Sequence, residues 1–303
     1  MSDFSPTWLA LREPADVQAR CVHLAEQLAQ WLATRPLPAP DASLDILDLG
    51  CGTGSNLRWL APRLRGRQAW TCLDRDPALL AALPHRTAAW ARDRGLEATA
   101  EAAGLRIDWE NSRWDIVPRA YDLIQGAAGL NLKAGTLVTA AALLDLVSEP
   151  WLLDLLRTAA AAGSPLLLAL TYDGRAGLEP RHRLDGPVIG LVNAHQRRDK
   201  GLGPALGPSA SARLAYLART LGFTVETADS DWLLAREQTA LQEALVAGWA
   251  AAATEQSAAE LSPAQAAERT AVIADWRDTR LGWIGTGDSE ITVGHQDALL
   301  LPP

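Results

Sequence analysis

Three glycines at alternate positions, Gly50, Gly52 and Gly54, follow the apolar run Leu44, Ile46, Leu47 and Leu49 and pass directly into the helix-like SNLRWL. A buried strand, a turn without side chains and a helix start let a nucleotide approach the backbone, where a β-carbon would hold it away. Two carboxylates frame this turn. Asp48 stands two residues before the first glycine, and Asp74 closes the next apolar run, WTCLD, about 20 residues on. A carboxylate there can accept both ribose hydroxyl protons in charge-assisted hydrogen bonds. A dinucleotide site is the rival reading, but its fingerprint is GxGxxG. Here Asn56 stands where a wider-spaced glycine would be, and a second carboxylate at Asp48 does not help a pyrophosphate.

Later segments supply groups that could handle a second molecule. Tyr172 and Asp173 end the apolar run Leu166 to Leu170, and ligands of open parallel sheets bind beyond the carboxyl ends of strands. Val188, Ile189, Leu191, Val192 and His195 fit one helical face, which delivers His195 beside Gln196, Arg197, Arg198, Asp199 and Lys200 before Gly201, Gly203 and Gly207. A helix ending in basic residues can be satisfying its own terminal carbonyls and dipole. The same residues also make a lid with an anion clamp, with Arg197, Arg198 and Lys200 as substrate-binding candidates.

LDLGCGTGSN resembles motif I of class I S-adenosylmethionine (SAM) dependent methyltransferases, an acidic residue and an apolar one followed by GxGxG, and LDRDP resembles the family's second motif. The resemblance covers about Leu44 to Leu301. It implies an α/β, Rossmann-like fold with a seven-stranded, mostly parallel sheet. The last strand is antiparallel and inserted between the fifth and sixth, with helices on both faces. It implies SAM as cofactor and S-adenosylhomocysteine as product. Asp48 would lie near the methionine amino group, within a turn of Gly50, Cys51, Gly52, Thr53, Gly54 and Asn56, and Asp74 would hold the ribose. Leu73 and Arg75 either line the adenosine pocket or simply pack and face solvent. An acid past the third strand would bind the adenine amino group. Asp115 is the better match, with Asp108 in reserve, and either could be a surface residue. Asp145 falls close to the transferred methyl or is a turn acid. Arg12 or Arg20 binds the SAM carboxylate or closes over the substrate, unless TWLALREPAD is a solvated ion network over an apolar anchor.

Methyl transfer is an in-line displacement, so the protein chiefly aligns the acceptor and shields the reaction centre. Where the acceptor must lose a proton, His195, Asp145 and Asp173 are the catalytic candidates, His195 having the ordinary pKa closest to neutral. No NPPY-like motif follows the fourth strand, where Ala141, Ala142, Leu143 and Leu144 stand, which argues against the DNA and glutamine N-methylating branches. The expected function is methyl transfer to a small polar or anionic metabolite at oxygen or nitrogen. The alternatives are SAM-dependent chemistry of another kind and a SAM-binding accessory or regulatory subunit.

The elements that must position these residues read as follows. ADVQARCVHLAEQLAQWLA gives a helix with Val22, Leu24, Leu28, Trp31 and Leu32 inward, stopped by Pro36, Pro38 and Pro40. Pro84 to Gly104 reads as helical with a break at Pro84 or Gly95, and the third strand falls within LRIDWENSRWDI. Leu137 to Ala141 form the fourth strand, Ser148 caps a helix with Pro150 in its first turn, and Phe223 to Glu226 form the sixth. Helical faces recur at Leu214, Leu217 and Leu221 and again at Leu241, Ala244, Leu245 and Trp249. Ser262 and Pro263 open another helix, EITVGHQDALLLP is the seventh strand, and His295 reads as packing or surface. Residues 1–43 are expected to form a helical cap and 44–303 the SAM-binding domain, with a substrate-binding insertion at about 174–210.

The chain has 303 residues and a net charge of −8, and no basic stripe is broad enough for a phosphate backbone, which argues against nucleic acid. It shows no signal-peptide pattern and no bilayer-spanning apolar stretch, so a cytoplasmic protein with no membrane partner is expected. Cys21, Cys51 and Cys72 have no metal-binding spacing, and no metal is expected. Apolar faces are all accounted for by an ordinary core, so the pattern does not choose between monomer and homodimer.

Overall fold

Near-continuous burial of the central strands, Leu44–Leu49, Leu137–Ala141 and the first half of Leu166–Glu179, builds a mixed sheet whose carboxyl edge carries the glycine turn. The computed structural model describes residues 5–35, 39, 42–110 and 112–303. In chain order the elements begin α1 (Pro6–Ala19), α2 (Val22–Ala33), β1 (Leu44–Leu49), α3 (Ser55–Leu60), β2 (Arg67–Asp74) and α4 (Pro77–Arg92). There follow β3 (Glu97–Glu101), β4 (Gly104–Trp109), β5 (Ser112–Ala120), β6 (Leu137–Ala141), α5 (Glu149–Ala161), β7 (Leu166–Glu179) and α6 (Asp185–Gln196). The chain ends with α7 (Ala210–Thr220), β8 (Thr224–Asp229), β9 (Trp232–Leu234), α8 (Thr239–Glu260), α9 (Pro263–Gly285) and β10 (Glu290–Leu301).

The sheet order is β3-β4-β5-β2-β1-β6-β7-β10-β8, with β9 also paired to β10. Strands β5, β2, β1, β6 and β7 run parallel, and β10 lies antiparallel between β7 and β8. This is the expected Rossmann-like arrangement, and it places the β1–α3 turn where the strand order reverses, the crevice such sheets offer to ligands.

The sheet is larger than the seven strands expected. LRIDWENSRWDI holds the end of one strand and the start of another: the chain turns at Glu110 (φ 51°), so β4 and β5 form an antiparallel hairpin, and β3 extends the edge. Leu105 and Ile107 of β4 face the core, whereas Arg106 pairs with Glu101 and Asp108 across the other face. The true third strand, β5, therefore ends at Ala120. Asp115, Val117 and Arg119 are exposed along it, and the crossover to β6 is made only of short 3-10 turns.

The helix expected over residues 15–33 is two helices. Arg20 is extended (φ −59°, ψ 138°), and the Cys21 amide donates to Asp297 Oδ2 at 2.8 Å, so the chain turns there and drives the Arg20 guanidinium inward. The helical pattern ends at Ala33, and Pro36, Pro38 and Pro40 lie outside the described residues. Pro84 does not break α4, which ends before Gly95. Strand β7 runs on to Glu179, so the first part of the expected insertion is strand paired with β10.

Trp70, Trp114, Leu57, Leu60 and Leu83 fill one sheet face under α2, α3 and α4, while Leu152, Leu155 and Leu214 of α5 and α7 cover the other. A third apolar cluster joins α1, α6, α8 and α9 beside the far end of β7, through Val188, Val192, Trp232, Trp249 and Trp276. Helix α9 starts with a capping box between Ser262 and Gln265. Its fully buried Arg280 forms an ion pair with Asp185 and donates to the Pro180 carbonyl at 2.7 Å, locking α9 to the base of α6. No helix among the described residues is long and apolar enough to cross a membrane.

Candidate active site

The β1–α3 turn is tight because its glycines occupy the left-handed region, with φ 53° at Gly52 and 87° at Gly54. A β-carbon on Gly52 would stand 3.0 Å from Leu9 Cδ1, so α1 lies directly on the turn. The Gly52 amide donates to Asp74 Oδ2 at 2.8 Å, and Asp74 Oδ1 accepts from the Asp76 amide at 3.0 Å. This holds the carboxylate at the end of β2 with lone pairs left for a further pair of donors. Cys51 is buried and its amide bonds the Leu73 carbonyl at 2.9 Å, and the hydrogen bond with Cys72, then burial, push its thiol pKa up. Its contribution is to the turn's shape. Thr53 is buried beside it with an unpartnered Oγ1.

Behind the turn lies a buried polar network. Asn56 donates to Asp48 Oδ1 at 2.7 Å and to Thr139 Oγ1 at 3.0 Å, and accepts from Arg20 Nη1 at 2.6 Å. Asp48 is fully buried and its pKa is pushed up to about 7, chiefly by loss of water, against the Asn56 hydrogen bond and the Arg20 charge. Asp48 Oδ2 and Arg20 Nε both lack partners. A buried carboxylate oxygen and a guanidinium N–H left unpaired around one asparagine suit a ligand carrying both an ammonium and a carboxylate. Asn56 therefore positions Asp48 and Arg20.

On the nucleoside side, Leu73 is core and Arg75 is exposed. Asp115 does not reach this region: it lies in the middle of β5, paired in register with Ala69, with its side chain exposed. Asp108, on β4, is tied to Arg106 and Arg113. The acid just past the strand is Asp122, whose Oδ1 caps a 3-10 turn by accepting from the Ile124 amide at 3.1 Å. Placing the third strand too early hid it. A cavity of about 180 Å³, lined by Leu47, Thr71, Leu73, Arg119, Tyr121 and Lys133, runs along the sheet face under the residue 129–133 loop, away from the Asp48–Arg20 network.

On the other side, Asp145 sits in a short turn after β6. Leu143 of the same turn comes within 3.4 Å of where a Gly50 β-carbon would be. Asp145 is buried and its pKa is raised to about 6, mainly by desolvation, opposed first by a hydrogen bond from its own backbone N–H and then by the Arg12 and Lys200 charges. The Tyr172 hydroxyl donates to Asn193 Oδ1 at 2.8 Å, and burial raises its pKa. Asp173 points elsewhere: its carboxylate is held by Arg175 Nε at 2.7 Å and the Arg175 amide at 2.9 Å, in a cluster with Asp229 and Asp231. A carboxylate fixed this way is not an available base. His195 Nε2 meets Glu255 Oε2 of α8 at 3.0 Å and its Nδ1 meets Lys200 Nζ at 3.4 Å; burial and Lys200 lower its pKa. Arg197 and Arg198 are exposed; Arg197 donates to the Asn193 carbonyl at 3.1 Å, as a helix-terminal arginine does. His295 is buried with Nδ1 3.1 Å from the Val293 carbonyl, its pKa lowered to about 4, a packed ring as expected.

The segment TWLALREPAD is not a solvated ion network. Arg12 and Asp16 are buried, paired at 3.0 Å, and Trp232 Nε1 donates to Asp16 at 3.1 Å. Glu13 grips the buried Arg58 of α3 through Nε at 2.8 Å and Nη2 at 2.6 Å, and reaches Arg86 of α4 at 3.2 Å. Arg58, Asp122 and Glu255 were not singled out by sequence, and Glu13 entered only as part of the TWLALREPAD ion network. The three whose roles are long-range, Glu13, Arg58 and Glu255, left no local pattern to find.

Residues 46–126 match a family described as a methyltransferase domain. No curated protein matches the chain in sequence. Among solved structures, a Haemonchus contortus phosphoethanolamine N-methyltransferase 2 in complex with SAM is 13% identical with a TM-score of 0.44, covering 100% of this chain and 58% of its own. A putative sarcosine dimethylglycine methyltransferase from Galdieria sulphuraria is 12% identical with a TM-score of 0.40, covering 96% of each chain. A cyclopropane-fatty-acyl-phospholipid synthase-like protein from Lactobacillus casei is 12% identical with a TM-score of 0.48, covering 95% of this chain and 98% of its own. The chain thus spans less than two thirds of the Haemonchus enzyme.

Proposed function

We propose that this chain, whose residues 46–126 match a methyltransferase-domain family, is a class I SAM-dependent methyltransferase that transfers the cofactor's methyl group to a small polar or anionic metabolite. The observation that carries the cofactor assignment is the pair of orphaned buried atoms behind the glycine turn, Asp48 Oδ2 and Arg20 Nε, which match the amino and carboxylate groups of a methionine moiety. When bound, SAM supplies an activated methyl group with its leaving group already attached. Asp74 offers its remaining lone pairs to the ribose hydroxyls, and Asp122 stands past β5 for the adenine amino group. Arg20 and Asp48 hold the zwitterionic end, with Asn56 fixing both. Leu9 of α1 closes over the turn and excludes water, and Leu143 occupies the opposite wall. Asp145 faces the acceptor as the group able to take a proton.

Calorimetry with SAM, S-adenosylhomocysteine and NAD on wild type and Asp74→Ala tests this reading. The expected result is SAM and S-adenosylhomocysteine binding, weakened in the variant, with no NAD binding. NAD binding without SAM binding would refute it.

A further inference from the structure

We propose that Asp297 is a positioning residue for the cofactor: by holding the peptide between Arg20 and Cys21 it aims the Arg20 guanidinium at the carboxylate of the methionine moiety. This rests on the cofactor reading above and adds to it a residue of the last strand, 276 positions from Cys21 in sequence. Asp297 is 2% exposed, and both of its oxygens accept from backbone. Oδ2 takes the Cys21 amide and Oδ1 the Leu170 amide, each at 2.8 Å.

Both backbones leave regular structure where they meet this carboxylate. Between the pairs Gln296↔Thr171 and Ala298↔Leu168 the β7–β10 register slips, so that Ala169 and Leu170 together stand opposite Asp297. Leu170 has φ 54°, in the left-handed region that leucine rarely enters. A bulge takes a residue out of the ladder and re-aims the side chain facing it, and such backbone strain persists where its surroundings fix it. On the other side, Arg20 is the C-cap of α1 and Cys21 the N-cap of α2, so their shared peptide belongs to neither helix and its N–H needs a partner from elsewhere.

The effect on Arg20 follows from peptide planarity. The Cys21 N–H lies in one rigid plane with the Arg20 carbonyl, so holding it holds the Arg20 ψ of 138°. The Arg20 amide is held in turn by the Asp16 carbonyl at 3.3 Å. With both flanking peptides fixed, the side chain leaves in one direction. It reaches Asn56 Oδ1 at 2.6 Å, with Nε unpartnered among the described residues. Burial works against the Arg20 charge, and Asp16, Asp297 and Asp48 offset it. An asparagine at position 297 could not serve both amides, because it has one acceptor oxygen and its NH2 would face the second N–H.

The test compares two ligands by calorimetry: S-adenosylhomocysteine, and 5′-methylthioadenosine, which keeps the nucleoside and sulfur but lacks the amino acid end. Asp297→Asn should weaken S-adenosylhomocysteine about tenfold and leave methylthioadenosine within about twofold of wild type. In an Arg20→Met background the same substitution should change S-adenosylhomocysteine affinity by less than about twofold, since the two residues act as a unit. Adding Cys21→Pro should return Asp297→Asn to within about threefold of wild type. Proline has no N–H to oppose the new NH2, its φ suits the −73° at Cys21, and it holds the residue before it extended. Thermal unfolding checks each variant, and if Asp297→Asn alone does not fold, the variant carrying Cys21→Pro is compared directly with wild type. Equal losses for both ligands, additive losses with Arg20→Met, or no recovery with Cys21→Pro would overturn the inference and leave Asp297 as a tie between α2, β7 and β10. A wild type that binds neither SAM nor S-adenosylhomocysteine overturns the cofactor reading and this inference with it.

Discussion

Replacing Asp48 with asparagine should stabilise the ligand-free protein at pH 8 while weakening its affinity for SAM. Asp48 is completely buried, and its pKa rises from the ordinary 3.8 to about 7. A carboxyl whose folded pKa lies above its unfolded value binds its proton more tightly when folded. Stability therefore falls as pH rises from about 4 to about 7, and the full cost is present above that. About three pH units at about 1.4 kcal/mol each give about 4 kcal/mol as a ceiling. The gain on substitution should be smaller, about 1–3 kcal/mol, because the buried Arg20 loses a compensating charge. The Asn56 hydrogen bond at 2.7 Å survives, since an asparagine carbonyl at position 48 can still accept it. Urea unfolding of both proteins at pH 5 and pH 8 measures the effect. Asp145 titrates in both and cancels in the difference between them. The stabilisation should appear at pH 8 and shrink towards pH 5, while calorimetry shows weaker SAM binding. Equal destabilisation at both pH values would refute the burial argument, and unchanged SAM affinity would remove Asp48 from the cofactor site.

Glu13→Gln should lower stability by about 2 kcal/mol, below the ~3–5 kcal/mol of a fully buried pair because Glu13 is partly solvated; an unchanged urea midpoint would show that α1 is not clamped by Arg58. Gly52→Ala should cost about 1–2 kcal/mol from left-handed strain, and more in SAM binding because Leu9 must shift from 3.0 Å; calorimetry and thermal unfolding separate the two. Asp122→Asn should weaken SAM binding about tenfold, the loss of one charge-assisted hydrogen bond, whereas Asp115→Asn should leave it unchanged. The reverse order would restore Asp115 as the adenine acid.

The glycine turn and the carboxylates that flank it were legible because they are local. Asp48, the glycine turn and Asp74 belong to one βαβ unit, where strand burial, positive φ and the spacing to the next strand are imposed by short-range geometry. Asp115 failed because a hairpin turn at Glu110 with polar flanks does not interrupt the apolar alternation enough to show that one strand is two. Asp173 failed differently: β7 does not end there but runs on to Glu179, and Arg175, two residues on, with Asp229 and Asp231 of the neighbouring segment, decides what the carboxylate does. The Glu255–His195–Lys200 chain joins α8 to the end of α6 across 60 residues of sequence, and one of the three glutamates of an Ala-rich helix carries no sign of that meeting.

The same distinction between local and distant contacts determines how the site must work. The glycine turn meets α1 at Leu9, its following helix meets α1 through Arg58 and Glu13, and Asn56 reaches the α1–α2 junction through Arg20. All three contacts come from the segment before β1, so the turn is shaped in part by chain that the methyltransferase match does not include. Arg12 and Asp16 extend that segment to Trp232, and the Arg12 charge acts on Asp145. In the proposed function one helix therefore serves both halves of the site, lying on the cofactor turn through Leu9 and facing the acceptor side through Arg12. Cofactor affinity and acceptor selectivity should consequently change together when α1 is loosened, whereas a change confined to Lys200 or Glu255 should leave cofactor affinity untouched.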